Sequence, residues 1–450
     1  MPSDMVASRP DAAEIDYDAW RRRIRADTFR NYHEEMGAAL LATQDVAAAA
    51  NAFQRAVAAD PASPTAAVRL VDALRRLNRD ADAEAAHREA QARNPDYAVV
   101  GNLQLARRFL ADCRPVQALP FLEQATALVG NDPGVTVQLA IARLAAGDHA
   151  IGPVAADGLT AEQRTDLAET AAKLMNHAYW HGTPEQAAGP IPAALGQIAA
   201  SLDPDNAAAA VTLGFILLMT WQPDGILELF QRLPAGSAAR AHPELSVSVG
   251  WSLLLTGRWA EAEDAIRRTL PAVAPVYAEY LTAGLACARS ARGDHASAAT
   301  LLDELLARTP GSFHGHFHRG VLHLASGNPA AALDHAAKAL EVGAREQRSL
   351  ALTLIGQCRQ QLGELEKAMS LFQEALEQAG RSTRLVMLDD PWICLNLALA
   401  QSAAGETAKA ASLFREKVLP YRACLPYMRT TLPNGSQAAL DQLMARVGTA

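Results

Sequence analysis

The sequence predicts an all-α chain of stacked antiparallel helix pairs, and three observations predict it. About a fifth of the 450 residues are alanine, while only 5% are aromatic; alanine is the best helix former and a poor core filler. A short phrase of alanines around one larger residue recurs at a period near 34 residues, which marks a repeat architecture. A glycine precedes each later copy, where two helices have to be joined by a tight turn. Length alone would suggest about three globular domains. Small side chains at this density instead bury area by bringing many helices close together.

In chain order, Met1 to Arg25 mixes acidic and basic residues from Asp4 onward and has no apolar run behind a basic start. No secretory signal is therefore expected, the expected compartment is the cytoplasm, and residues 1–30 read as an extension or cap helix. The run Trp20-Arg21-Arg22-Arg23-Ile24-Arg25 is flanked by Asp16, Asp18 and Asp27, which favours a solvated face over a docking surface.

Residues 31–147 form the first expected arm. The phrase Ala49, Phe53, Ala56, Pro61 returns 34 residues later as Ala83, His87, Ala90, Pro95, and again at Ala118, Leu122 and Ala125. These residues share one helical stripe, so the alanines admit a neighbouring helix and the larger residue fills the gap between units. Between 148 and 204 the pattern breaks. Gly152-Pro153 and Asp157-Gly158 interrupt it, Ala161 to His181 reads as one longer helix, and Pro184 to Pro192 reads as a connector, so this stretch is a degenerate repeat or hinge.

Residues 205–419 form the second arm. Copies fall at Ala262/Ile266, Ala298/Leu302/Leu305, Ala332/Ala336/Ala339, Ala368/Phe372/Ala375 and Ala410/Phe414. Turn glycines Gly257, Gly293, Gly327, Gly363 and Gly405 precede them, and Gly250, Gly320 and Gly356 stand seven residues earlier in three units, with Ala286 and Ala398 in the other two. Ser63-Pro64, Thr183-Pro184, Asn328-Pro329 and Asp390-Pro391 supply helix caps followed by proline. An insertion of about Gly380 to Pro391 accounts for one longer spacing. Beyond Arg415 the phrase fails, and 420–450 reads as a C-terminal cap ending in a helix over Ser436 to Val447.

With 41 basic against 49 acidic residues the net charge is −8, which excludes a nucleic-acid binder by default. The most apolar run, Ala207 to Trp221, is too short to cross a bilayer. Cys113, Cys287, Cys358, Cys394 and Cys424 form no CxxC pair and read as small core residues. No phosphate-binding loop, GxSxG, HExxH, EF-hand loop or GxGxxG occurs, so no enzyme and no cofactor are expected. Phe313 to His323 holds four histidines, of which His314 and His318 share a helix face. No Cys or carboxylate at ligand spacing accompanies them, so no metal is expected. The pairs Glu34-Glu35 and Asp389-Asp390 are adjacent and do not face each other on a helix.

The phrase, its period and the two glycines seven residues apart resemble the tetratricopeptide repeat, most clearly over Leu350 to Gly380 with Gly356, Gly363, Ala368, Phe372, Ala375 and Leu376 in the small and large positions. The chain looks like a divergent, alanine-rich member of bacterial type, with the preferred aromatics of the first helix mostly missing. His316 and His323 stand where two such aromatics belong. The resemblance implies a right-handed superhelical solenoid whose first helices line a concave groove that binds another protein as an extended peptide or amphipathic helix.

On that implication the groove takes Asn31, Arg69, Asp72, Arg75, Arg76 and Arg107 in the first arm, a lining suited to carboxylates. Its middle is apolar, with Val211, Phe215, Leu218, Met219, Val247, Trp251 and Leu254, which implies a bound helix or closure of the arms on themselves. Toward the C-terminus come His314, Phe317, His318, Gln357, Gln360, Gln361, Trp392 and Asn396. The expected function is a non-catalytic scaffold for protein interaction. The alternative is a substrate-recruiting or adaptor subunit of a glycosyl-, sulfo- or methyltransferase complex. The asparagine ladder of the similar O-linked N-acetylglucosamine transferases is absent, since that position reads Thr212, Ser248, Gly284, His318, Leu354 and only then Asn396.

Overall fold

A computed structural model describes residues 17–148, 154, 156–183, 186–187, 189–381, 390–433 and 435–448. The described residues are helices and turns, with no strand among them. The chain divides into two compact units, Met1–Leu159 and Thr160–Ala450. The first holds α1 (Tyr17–Ala42), α2 (Val46–Ala59), α3 (Pro64–Arg76), α4 (Asp80–Arg93), α5 (Pro95–Ala111), α6 (Pro115–Val129) and α7 (Pro133–Ala145). The second begins with α8 (Ala161–His181), α9 (Pro190–Leu202), α10 (Ala207–Met219), α11 (Pro223–Arg232), α12 (Pro243–Leu255) and α13 (Trp259–Thr269). It continues with α14 (Pro275–Ala291), α15 (His295–Arg308), α16 (Phe313–Ala325), α17 (Pro329–Val342), α18 (Arg348–Gln361), α19 (Leu365–Arg381), α20 (Asp390–Ala403) and α21 (Thr407–Leu413). The tail carries α22 (Leu425–Thr430) and α23 (Ser436–Gly448). Each unit is an all-α solenoid in which successive helices pack on one another and first helices of successive pairs also touch.

The repeated phrase is the core of the pairs that carry it. Ala49, Phe53 and Ala56 are fully buried, as are Ala118, Leu122 and Ala125, Ala332, Ala336 and Ala339, and Ala368, Phe372 and Ala375. The glycine opposite the large residue is there for space: a Cβ on Gly37 would lie 2.5 Å from the Phe53 ring, and one on Gly356 would lie 2.5 Å from the Phe372 ring. Only a bare backbone lets the two helices of a pair approach that closely.

The turns repeat as faithfully as the helices. Gly257, Gly293, Gly327, Gly363 and Gly405 have φ between 72° and 87°, the left-handed conformation that ends a helix without a Cβ penalty. The same turn recurs in earlier units at Gln44, Asn78, Cys113 and Trp221, with φ of 64°, 57°, 57° and 56°, and at Gly147. Cys113 is thus a turn residue rather than the core residue its type suggested. Caps follow expectation where their side chains are described: Ser63 Oγ accepts from Ala66 N at 3.3 Å, and Asn328 Oδ1 accepts from Ala331 N at 3.2 Å. Thr183 Oγ1 accepts from Gln186 N at 3.3 Å, whereas the side chain of Asp390 lies outside the described residues, as do Asp389, the interruption at Gly152-Pro153 and residues 382–389 of the insertion.

One local expectation is corrected. Pro190 and Pro192 belong to the first turn of α9 rather than to a connector, because proline at a helix start gives up an N–H that has no partner there anyway. After α21 the chain makes a π-helical turn, Phe414–Val418, with Phe414 and Val418 fully buried. The helix expected at Ala161 to His181 is α8, and the terminal one is α23. Arg22 to Arg25 are exposed, as a solvated face requires.

Candidate functional site

In the second unit the first helices and α8 turn a common face onto a cavity of about 580 Å³. Ten of the chain's 24 aromatic residues line it, a concentration that a chain with 5% aromatics does not reach by even spreading. Trp251 on α12 stacks on Tyr280 of α14 at 4.2 Å between ring centres and 15° between planes. Trp180 of α8 stacks on Phe215 of α10 at 6.0 Å. Phe313 and Phe317, one helical turn apart on α16, stack at 5.7 Å, and Phe317 meets Trp392 of α20 edge-on at 5.9 Å. Helical spacing aligns residues within each helix, and the stacking of pairs joins the rings into a band.

The polar groups in this band are few. His318 Nδ1 lies 3.1 Å from Cys287 Sγ. Burial pushes the Cys287 thiol up to about 12, so it stays protonated and donates to that nitrogen. Burial pulls His314 down to about 4; burial together with the neighbouring His314 pulls His318 down to about 3. Both imidazoles are neutral at pH 7. Their ring centres are 6.5 Å apart, and no group of three His, Cys, Asp or Glu that could hold a metal occurs among the described residues. Among the described residues Glu244, in the first turn of α12, is the one carboxylate of the lining, and no Lys or Arg lines it.

A segment of the chain itself lies against this face. Gln357 Nε2 donates to Asn396 Oδ1 at 2.8 Å and to the Thr431 carbonyl at 3.0 Å. Trp392 Nε1 donates to Thr431 Oγ1 at 2.7 Å, and Asn396 Nδ2 donates to the Trp392 carbonyl at 2.8 Å. Tyr427 meets Trp251 edge-on at 6.2 Å. A Cβ on Gly257 would lie 2.7 Å from Pro426, and Cys424 Sγ is 3.9 Å from the Trp221 carbonyl. Residues 424–431 therefore run from the turn after α10 to α18 and α20.

Among the residues singled out from sequence, Val211, Phe215, Leu218, Met219, Val247, Trp251, His314, Phe317, His318 and Trp392 come together on the cavity. Gln357 and Asn396 are fully buried under the tail rather than open to a partner. Gln361 is half-buried, with its Oε1 unpartnered. Leu254 is a correction: it is fully buried and faces Gly284, while Leu255 takes the lining position. His316 and His323 pack as aromatics on His335, at 5.4 and 5.5 Å between ring centres. Trp180, Tyr277, Tyr280 and Tyr427 were not anticipated. The first three could have been found as aromatics on first-helix faces, but nothing local marks Tyr427.

In the first unit, Asp72 pairs with Arg76 at 2.9 Å and with Arg108 at 3.2 Å, and Arg69 lies 3.7 Å from Glu34. Asn31 is exposed and accepts from the Arg30 guanidinium at 3.1 Å. Arg107 is exposed. Arg75 departs from the lining role: its guanidinium sits 4.9 Å above the Phe109 ring, a cation–π contact inside the repeat.

Stacked helix pairs with left-handed turns at this spacing define a helical repeat protein. A family model described as tetratricopeptide repeat matches residues 35–98, 284–348 and 324–382, so these segments are tetratricopeptide repeats. It is similar in structure to a tetratricopeptide repeat protein from Parabacteroides merdae, at 14% identity over 68% of this chain and 99% of that one with a TM-score of 0.43. It is also similar to pilF of Pseudomonas aeruginosa, at 16% identity over 50% and 96% with a TM-score of 0.34. No curated protein sequence matches the chain. No described helix is long and apolar enough to cross a membrane.

Proposed function

We propose that this protein is a non-catalytic interaction scaffold that holds a segment of another protein against the first-helix faces of its repeats. The observation that carries this reading is the chain's own tail. The face of α18 and α20 holds residues 424–431 through side-chain donors aimed at a backbone carbonyl and a hydroxyl, the chemistry by which such a face grips an extended or helical segment. The side-chain band beyond the tail, with Phe215, Trp251 and His314, offers anchoring pockets of the kind that dominate binding energy.

In the first unit the partner's contribution is acidic. Arg69, Arg76 and Arg107 lie on the expected groove positions of α3 and α5, and the ion pairs Arg69 and Arg76 make there are partly exposed. Exposed pairs are worth about 0–1 kcal/mol, so an incoming carboxylate displaces them at little cost. The test is an affinity purification from the source cell with the wild type and with an Arg69→Ala/Arg76→Ala/Arg107→Ala variant, both checked for an unchanged thermal midpoint. Loss of a co-eluting protein in the variant is expected; an identical set of partners overturns the arginine assignment.

A further inference from the structure

The cavity shares Phe215, Trp251 and His314 with the face proposed above to hold a partner segment, yet its volume and charge are those of a small-molecule site whether or not a segment binds beside it. Its volume of about 580 Å³ falls in the range of small-molecule sites, roughly 300–1,000 Å³. Ten of the lining residues are aromatic, and an aromatic ring carries partial negative charge on its π face. Among the described residues no Lys or Arg lines the cavity, and Glu244 is the single formal charge. That carboxylate has no ion-pair partner among the described residues and stands near Tyr277, whose hydroxyl it helps to hold in the neutral form. His314 and His318 contribute no positive charge at neutral pH. The indole N–H groups of Trp221 and Trp251 are buried without hydrogen-bond partners.

An anion would meet the rings' negative faces and Glu244 with no counter-charge. A purely apolar ligand would leave Glu244 uncompensated at the cavity wall. A cation with an apolar body satisfies both, because cation–π attraction to several rings adds to the pairing with one carboxylate. We infer that the cavity lined by Trp251, Tyr277, Tyr280 and Glu244 is a binding site for a small apolar organic cation, of the quaternary or alkylated ammonium class.

The probes are benzyltrimethylammonium, its neutral carbon isostere neopentylbenzene and the anion phenylmethanesulfonate, which share an aromatic body and differ in charge. Binding to the full chain is read by quenching of intrinsic tryptophan fluorescence and by equilibrium dialysis. The cation is expected to bind about tenfold more tightly than the neutral isostere, and the anion not to bind. Glu244→Gln, at a half-exposed position that leaves the fold intact by circular dichroism, is expected to weaken the cation several-fold and leave the isostere unchanged. Equal affinity for cation and isostere, no binding of the cation up to millimolar concentration, or a Glu244→Gln variant with undiminished cation affinity would each overturn the assignment.

Discussion

Trp392 and Thr431, 39 residues apart, share a 2.7 Å hydrogen bond in which the buried indole N–H donates to the threonine hydroxyl. The same hydroxyl donates to the Met428 carbonyl at 2.7 Å, and the Thr431 carbonyl accepts from Gln357. One residue of the tail thus closes a network between α18, α20 and α22. That network keeps the tail on the first-helix face and shapes one wall of the aromatic cavity.

Replacing Thr431 with Val keeps the volume and removes the hydroxyl. The Trp392 N–H is then buried without an acceptor, a loss of about 1–3 kcal/mol. Urea unfolding should show that decrease, with Thr431→Ser recovering most of it. An undiminished midpoint for Thr431→Val would mean that the tail is held by apolar contact alone.

Ala368 is fully buried between α18 and α19, where no volume is spare. Ala368→Trp should lower the thermal midpoint, since overpacking a close helix contact costs about 1–3 kcal/mol or more. In a repeat protein each unit leans on its neighbours, so hydrogen exchange should quicken first in α16 to α21 and leave the first unit unchanged. An unaltered midpoint would contradict the placement of Ala368 in the core of its pair.

The non-glycine turns carry backbone strain. Gln44 at φ 64° bears a Cβ in the left-handed region, and Gln44→Gly should stabilise by about 0.5 kcal/mol after the greater freedom of glycine in the unfolded chain is counted. The converse change, Gly327→Ala at φ 72°, should destabilise by about 1 kcal/mol. Paired thermal melts test both signs.

His314 and His318 sit in the folded protein below the ordinary histidine value of 6.5 because burial disfavours their charged forms. The unfolded chain therefore binds more protons than the folded one between that value and about 4, and stability rises with pH across the window. Stability is fully present above pH 6.5 and is lost as the pH falls toward 4. Denaturant midpoints at pH 7 and pH 5 should differ, and a His314→Gln/His318→Gln variant should lose much of that difference.

The sequence by itself determined the repeat, because the information is local. Ala49, Phe53 and Ala56, with Gly37 across from them, specify one helix pair within a few turns of chain, and the same spacing at Ala368, Phe372, Ala375 and Gly356 specifies another. The glycine turns were readable for the same reason; Gln44, Asn78, Cys113 and Trp221 were not, since a left-handed backbone leaves no mark when the residue is not glycine. Tertiary structure alone decided what the first-helix face meets. Gln357 and Asn396 look like groove residues in sequence, yet Gln357 donates to the carbonyl of Thr431, 74 residues further on, and Asn396 is bonded to Gln357 and to the Trp392 carbonyl. Tyr427 joins Trp251 and Tyr280 only because the tail returns to α12. Side-chain periodicity reports which face a residue occupies, whereas the partner on that face is set by contacts between segments far apart in the chain, for which no local pattern exists.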